Sequence, residues 1–315
     1  MIPDLLALAG GLALLGYAAD QFVIGAARLA VRLRLSSVVI GAVVIGFGTS
    51  APELVVSTLA AAQDRVGIAV GNIVGSNTAN LALVLGAAAL MRPLTVKSSI
   101  LRRETPLSVA AVLAFGLVVQ GGLSVVEGIV LLVAMGAALT WIFAAGRATD
   151  DLVLAEEVDE FLEESSPHPL RVEVTRTLLG LVGTVAGAQI LIGGASSLAS
   201  RIGLTEGFIG LTLVAIGTSL PELATAIQAA RKDETDLVVG NLLGSNIFNS
   251  LAVAGAAALA GPGQAVDPTL TGFAVALMLG VALVASLFML TARQVTRLEG
   301  ALLVAAYVVV VPFLA

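Results

Sequence analysis

The chain has 315 residues, 58% of them hydrophobic and only 12% charged, with a mean hydropathy of +1.03. A soluble domain carries roughly twice that charged fraction, so a water-soluble enzyme or scaffold is excluded at the outset. There is no cysteine, which removes disulfides, thiol catalysis and thiolate metal sites. The formal charge of −6 comes largely from one acidic segment and offers no surface for nucleic acid.

Apolar runs of about 20 residues recur along the chain, the length a helix needs to cross a bilayer. The short alternating segments of a membrane β-barrel are absent. The sequence therefore predicts an all-α polytopic membrane protein with ten spans, near residues 3–31, 37–62, 68–91, 104–120, 123–146, 175–200, 205–230, 236–260, 268–291 and 297–314. Met1-Ile2-Pro3-Asp4 lacks the basic region of a signal peptide, so the first apolar segment is expected to be a retained span. Residues 1–146 form a first block of five spans, 147–176 a linker, and 177–315 a second block of five. The linker carries Asp150, Asp151, Glu156, Glu157, Asp159, Glu160, Glu163 and Glu164 before Ser165-Ser166-Pro167-His168-Pro169. Its charge run reads as a solvated connector, without the spacing of a calcium-binding loop.

If the loops alternate sides, fourteen of the sixteen basic residues fall on one side. Arg65 and Arg201 alone fall on the other. The excess of basic residues marks the cytoplasmic side, which puts the linker inside the cell and both termini outside.

The two blocks repeat each other. Gly48-Thr49-Ser50-Ala51-Pro52-Glu53 recurs as Gly217-Thr218-Ser219-Leu220-Pro221-Glu222, 169 positions later. At that offset, residues 40–86 match 209–255 at 20 of 47 positions without a gap. Five spans per block is an odd number, so the second block is inverted in the membrane relative to the first. Inverted repeats with broken helices meeting near the midplane are an architecture of secondary transporters.

Within the motif, Pro52 has no amide hydrogen, so the carbonyl of Gly48 loses its helical partner and needs another. Thr49 and Glu53 lie one turn apart on the same face, with Ser50 beside them. Backbone oxygens, hydroxyls and a carboxylate form a surface suited to a hard cation such as Na+ or Ca2+. Span seven repeats the set with Gly217, Thr218, Ser219 and Glu222. Ser50-x-x-Glu53 also fits a capping box at the start of a half-helix. Capping accounts for one copy, but not for an acid placed twice at matching depth in a bilayer, where such groups are costly unless functional.

The following spans add Ser76 and Asn80, then Ser245 and Asn249, as candidate ligands. Asn77 and Asn246 are open between a ligand role and helix packing, and Asn72 and Asn241 rank below them. Gly71 and Gly75, like Gly240 and Gly244, are pairs of small residues that let helices approach closely. Asp20 and Gln189, at matching positions of spans one and six, could line a water path or serve as hydrogen-bonded structural residues.

On these residues the chain resembles the sodium/calcium exchanger branch of the cation/calcium antiporter superfamily. The paired Gly-Thr-Ser-x-Pro-Glu and Gly-Ser-Asn-x-x-Asn segments look like that family's alpha repeats. The resemblance implies a prokaryotic cell-membrane antiporter acting as a monomer, with no cofactor beyond the transported Ca2+ and Na+. It further implies that Glu53 and Glu222 are shared ligands. Thr49, Ser50, Ser76 and Asn80 would complete one half of the site, and Thr218, Ser219, Ser245 and Asn249 the other, with backbone oxygens near Gly48 and Gly217. Some relatives carry an aspartate where this chain has Asn249, which leaves two acids here in place of three. Ca2+/H+ exchange on the same fold is the alternative, and a cation channel a more distant one.

Overall fold

A computed structural model describes residues 1–32, 48–96, 101–147, 169–232, 235–261, 263 and 268–311. The acidic run of the linker lies outside the described residues. The architecture is all-helical apart from one two-stranded pairing. In chain order, α1 is Ile2–Arg32, α2 Ala51–Ala62, α3 Val66–Met91, α4 Glu104–Gly121, α5 Val125–Arg147 and α6 Leu170–Ile202. Then follow α7 Glu206–Thr218, α8 Leu220–Lys232, α9 Thr235–Ala260, α10 Leu270–Thr291 and α11 Arg297–Val310.

Seven helices among the described residues are long and apolar enough to cross a membrane. The bent pair α7 and α8, with 42° between its halves, makes an eighth. The two other expected spans correspond to α2, whose preceding residues 33–47 lie outside the description, and to the shorter α11. α3 and α9 form the centre: 83% of each apolar window is buried, against 33% for α1 and 22% for α5. Large apolar side chains such as Leu117, Val133, Leu179 and Leu287 stand exposed on the outer helices, as a lipid-facing surface requires.

The sequence repeat is a structural repeat. α3 and α9 begin and end 169 residues apart, 66 to 235 and 91 to 260. Each contains a π-helical stretch, Asn80–Val84 and Asn249–Val253, that starts on the equivalent asparagine. Such bulges concentrate at functional sites because they free backbone groups and re-aim side chains. The breaks match too: Ser50 has φ −92°, ψ 7° and Ser219 φ −85°, ψ 7°.

α1 and α6 run antiparallel in close contact, because small residues line the seam. A Cβ at Gly187 would lie 2.6 Å from the Leu15 nitrogen, one at Gly11 2.7 Å from the Leu191 nitrogen, and one at Gly180 2.7 Å from the Phe22 Cα. Both ends of this seam carry ion pairs, Arg28 to Glu173 at 3.0 Å and Arg201 to Asp4 at 2.9 Å. Gly71 and Gly75 do the same for α3 against α7, where an added Cβ would come 2.8 Å from Leu211 backbone atoms.

Loop contacts agree with alternating sides. β1 (Leu94–Thr95) pairs antiparallel with β2 (Gln294–Val295), and Thr95 meets Thr235 at 2.8 Å, so three loops expected on one side are joined. On the opposite side Arg65 donates to Glu206 at 2.8 Å, and Gly263 donates to the Leu123 carbonyl at 2.6 Å.

Candidate cation site

The two breaks meet at the centre of the molecule and exchange partners. Ser50 Oγ donates to Glu222 Oε1 at 3.2 Å, and Ser219 Oγ donates to Glu53 Oε1 at 3.3 Å. These two bonds are the same bond under the 169-residue offset. They also rule out the capping box at Ser50. Ser124 and Glu127 form a reciprocal cap at the start of α5, and Thr296 and Glu299 do so at α11. The same spacing at Ser50 makes no side-chain cap; its hydroxyl crosses to the other repeat.

Glu53 and Glu222 are 0% exposed, and so are Ser50, Ser76, Asn80 and Asn249. Thr218, Ser219 and Ser245 are also buried. The hydroxyls of Thr49 and Ser245 lie beside Glu222 and that of Thr218 beside Glu53, and the two carboxylates lie near one another. With one oxygen held by the opposite serine, each acid keeps a second oxygen, Oε2, with no protein partner. Thr49 Oγ1, Ser76 Oγ, Asn80 Oδ1 and both amide atoms of Asn249 are likewise buried and unpartnered. Buried polar atoms nearly always find a partner, so a set of orphaned atoms that includes both acids calls for one the protein does not itself supply. The donors are carboxylate, hydroxyl and carboxamide oxygens, a set that fits a hard cation. Two acids buried side by side become tolerable in a low-dielectric interior only by binding a cation or taking up a proton.

Of the expected ligands, Thr49, Ser50, Glu53, Thr218, Ser219, Glu222 and Ser245 lie together, while Ser76, Asn80 and Asn249 are buried on α3 and α9 with unpartnered polar atoms. Gly48 lies on the wall of an adjoining cavity, and Gly217 packs against Leu12 of α1. Asn77 and Asn246 turn largely to packing between α3 and α9. Asn246 accepts from Asn80 and donates to the Asn77 carbonyl, both at 3.1 Å, while Asn77 donates to Ser250 at 2.9 Å.

Asn72 is more important than its sequence rank. Its Oδ1 accepts from Thr218 at 3.0 Å and its Nδ2 donates to Ser57 at 3.0 Å, so it aims a site hydroxyl from one turn away. Its signal in the sequence was the doubled Gly-Asn pair of Gly71-Asn72 and Gly240-Asn241. The equivalent pair differs: Thr49 Oγ1 and Asn241 Nδ2 both lack partners.

A family model described as sodium/calcium exchanger protein matches residues 4–144 and 174–315. CaxA of Alkalimonas amylolytica, described as a presumed antiporter, is 38% identical over 95% of this chain and 94% of its own. The sodium/calcium exchanger MaX1 of Methanosarcina acetivorans is 30% identical, again over 95% and 94%. A Ca2+/H+ antiporter of Aphanothece halophytica is 26% identical over 83% and 78%. Among solved structures, the sodium-calcium exchanger NCX_Mj soaked with Na+ and Ca2+ superposes with a TM-score of 0.63 at 29% identity, covering 100% of this chain and 99% of that one.

Proposed function

We propose that this chain, which belongs to the sodium/calcium exchanger protein family, exchanges Na+ for Ca2+ across the membrane by alternating access to the paired-carboxylate site. The observation that carries this reading is the reciprocal hydrogen bonding of Ser50 to Glu222 and Ser219 to Glu53. Each repeat holds the other's acid, so the site exists only when both halves contribute. Two carboxylates balance one Ca2+ or two Na+ at similar electrostatic cost, which makes the two ions competitors for the same oxygens. The empty site, with two buried acids and no counter-charge, resists the transition between sides. Influx of one ion is thereby coupled to efflux of the other. Glu53 and Glu222 bind both ions, Ser50 and Ser219 orient the acids, and Thr49, Thr218, Ser76, Ser245, Asn80 and Asn249 supply neutral oxygens, with carbonyls near Gly48 and Gly217 at the margins.

The basic-residue excess orients this reading: the face bearing β1, β2 and the acidic linker is cytoplasmic, in a prokaryotic inner membrane. Residues 1–146 and 177–315 are its two inverted halves, and the bilayer is the only partner a single chain needs. Glu53→Gln and Glu222→Gln each remove one charge without changing shape. Each should cut sodium-dependent uptake of radiolabelled Ca2+ into vesicles by more than about a hundredfold. Wild-type flux in either variant would overturn the assignment.

Exchange of Ca2+ for H+ is the second reading, favoured by the Aphanothece halophytica relative and by the ability of both acids to carry a proton. It keeps the site and changes only the counter-ion.

A further inference from the structure

A cavity of about 300 Å³ adjoins the site on one half of the molecule. Its wall includes Gly48 and Thr49 from the first break, Pro52 of α2, Pro221 and Thr225 of α8, and Asp20 of α1. Its lining comes from the middle of α1, residues 16–24, and from the first turns of α8, which runs on from there towards Lys232 and the side expected to face the acidic linker. Asp20 is exposed there, and its Oδ2 accepts a hydrogen bond from its neighbour Gln21 at 3.0 Å. A carboxylate at this depth of a membrane helix is costly unless it serves a path or a site, and no salt bridge to Asp20 forms among the described residues. Thr49, on the same wall, offers an unpartnered hydroxyl to the cation site. The cavity therefore runs from an acid to a ligand.

The inverted repeat supplies an internal comparison. The position equivalent to Asp20 is Gln189, which is neutral and accepts from Gln63 of the α2–α3 turn at 2.7 Å, so on the opposite half this position bridges α6 to that turn. The threonine of that half, Thr218, is bonded to Asn72, whereas Thr49 is not bonded to Asn241. The acid thus stands on the half where this cavity reaches Thr49, and its repeat-equivalent position, Gln189, holds no acid.

We infer that Asp20 is a cation-capture residue of the cytoplasmic vestibule, a fixed negative charge that concentrates Ca2+ at the mouth of the site from the linker side alone. A single charge at the neck of a cleft with low-dielectric walls raises the local concentration of counter-ions. The effect is larger for a divalent than for a monovalent cation. The inference rests on the reading of the chain as a cation antiporter, and it makes that antiporter asymmetric in its two apparent affinities.

The test uses wild type and Asp20→Asn in inside-out and right-side-out vesicles, with radiolabelled Ca2+ at varied ionic strength. At low ionic strength Asp20→Asn should raise the half-saturating Ca2+ at the cytoplasmic face by roughly threefold to tenfold. Maximal rate and the half-saturation at the outer face should stay as in wild type. The difference should shrink as salt screens the charge. Asp20→Glu should restore the wild-type curve, and Thr225→Asp, a second acid on the same wall, should lower the cytoplasmic half-saturation. An unchanged cytoplasmic half-saturation, an equal shift at both faces, or a loss confined to maximal rate would each overturn the role of Asp20. Absence of any coupled cation flux in wild type would overturn the antiporter reading and this inference with it.

Discussion

Ser50 and Ser219 each present a hydroxyl to an acid of the other repeat, and both acids lie out of reach of solvent. A hydrogen bond to a charged group contributes about 1.5–3 kcal/mol. Ser50→Ala and Ser219→Ala should therefore weaken apparent Ca2+ affinity by roughly tenfold to a hundredfold and, because the bonds are equivalents, by similar factors. Titration of Ca2+-dependent flux in each variant measures this, and a tenfold disparity between them would contradict the equivalence. Asn72→Ala should cost less, about threefold to tenfold, because it releases Thr218 without removing it. The sequence made the acids, serines and threonines legible through one motif repeated at a fixed offset. It could not separate a cap from a site at Ser50. The same Ser/Thr-x-x-Glu spacing caps α5 and α11 at Ser124 and Thr296. Only the approach of the other repeat, a contact 172 residues away in the chain, distinguishes the two uses. For the same reason Asn72 could not be told from Asn77: both are buried asparagines on α3, and which one aims a ligand depends on what α7 brings to it.

At the scale of elements, the seam between α1 and α6 depends on glycines meeting backbone. Gly187→Leu would drive a side chain into Leu15, and overpacking of this kind costs about 1–3 kcal/mol or more. The variant should show a lower melting temperature in detergent and lose transport, while Gly193→Ala, on the same helix with nothing near its Cα, should behave as wild type. Equal stability of both would argue against the packed seam. Hydropathy placed most spans within a few residues of their helices, because the apolar runs are long and their ends are marked by charge, proline or glycine; the start of the second, expected at residue 37, lies outside the described residues. The π-helical stretches at Asn80 and Asn249 were not legible. They depend on backbone registers that the sequence pattern does not encode. Nor did composition indicate that α3 and α9 are the buried pair, since their mean hydropathy of 1.5 is lower than the 2.1 of the lipid-facing α5. Their polar residues face each other at the centre, which lowers hydropathy as burial rises.

For the whole molecule, the absence of native cysteine makes topology directly measurable. Single cysteines at the exposed positions 93 and 231 should react with an impermeant thiol reagent from the cytoplasmic side, and cysteines at 64 and 204 from outside. Labelling of both sets from one side would contradict the inverted arrangement. The central claim is that Na+ and Ca2+ share the Glu53–Glu222 site and move in opposite directions. The most direct measurement is uptake of radiolabelled Ca2+ into proteoliposomes of the purified protein, driven by an outward Na+ gradient or an outward H+ gradient, each with the other clamped. The account predicts uptake with the Na+ gradient, undiminished by a protonophore, and none with the H+ gradient alone. Uptake driven by H+ in the absence of Na+, with no response to a Na+ gradient, would contradict it.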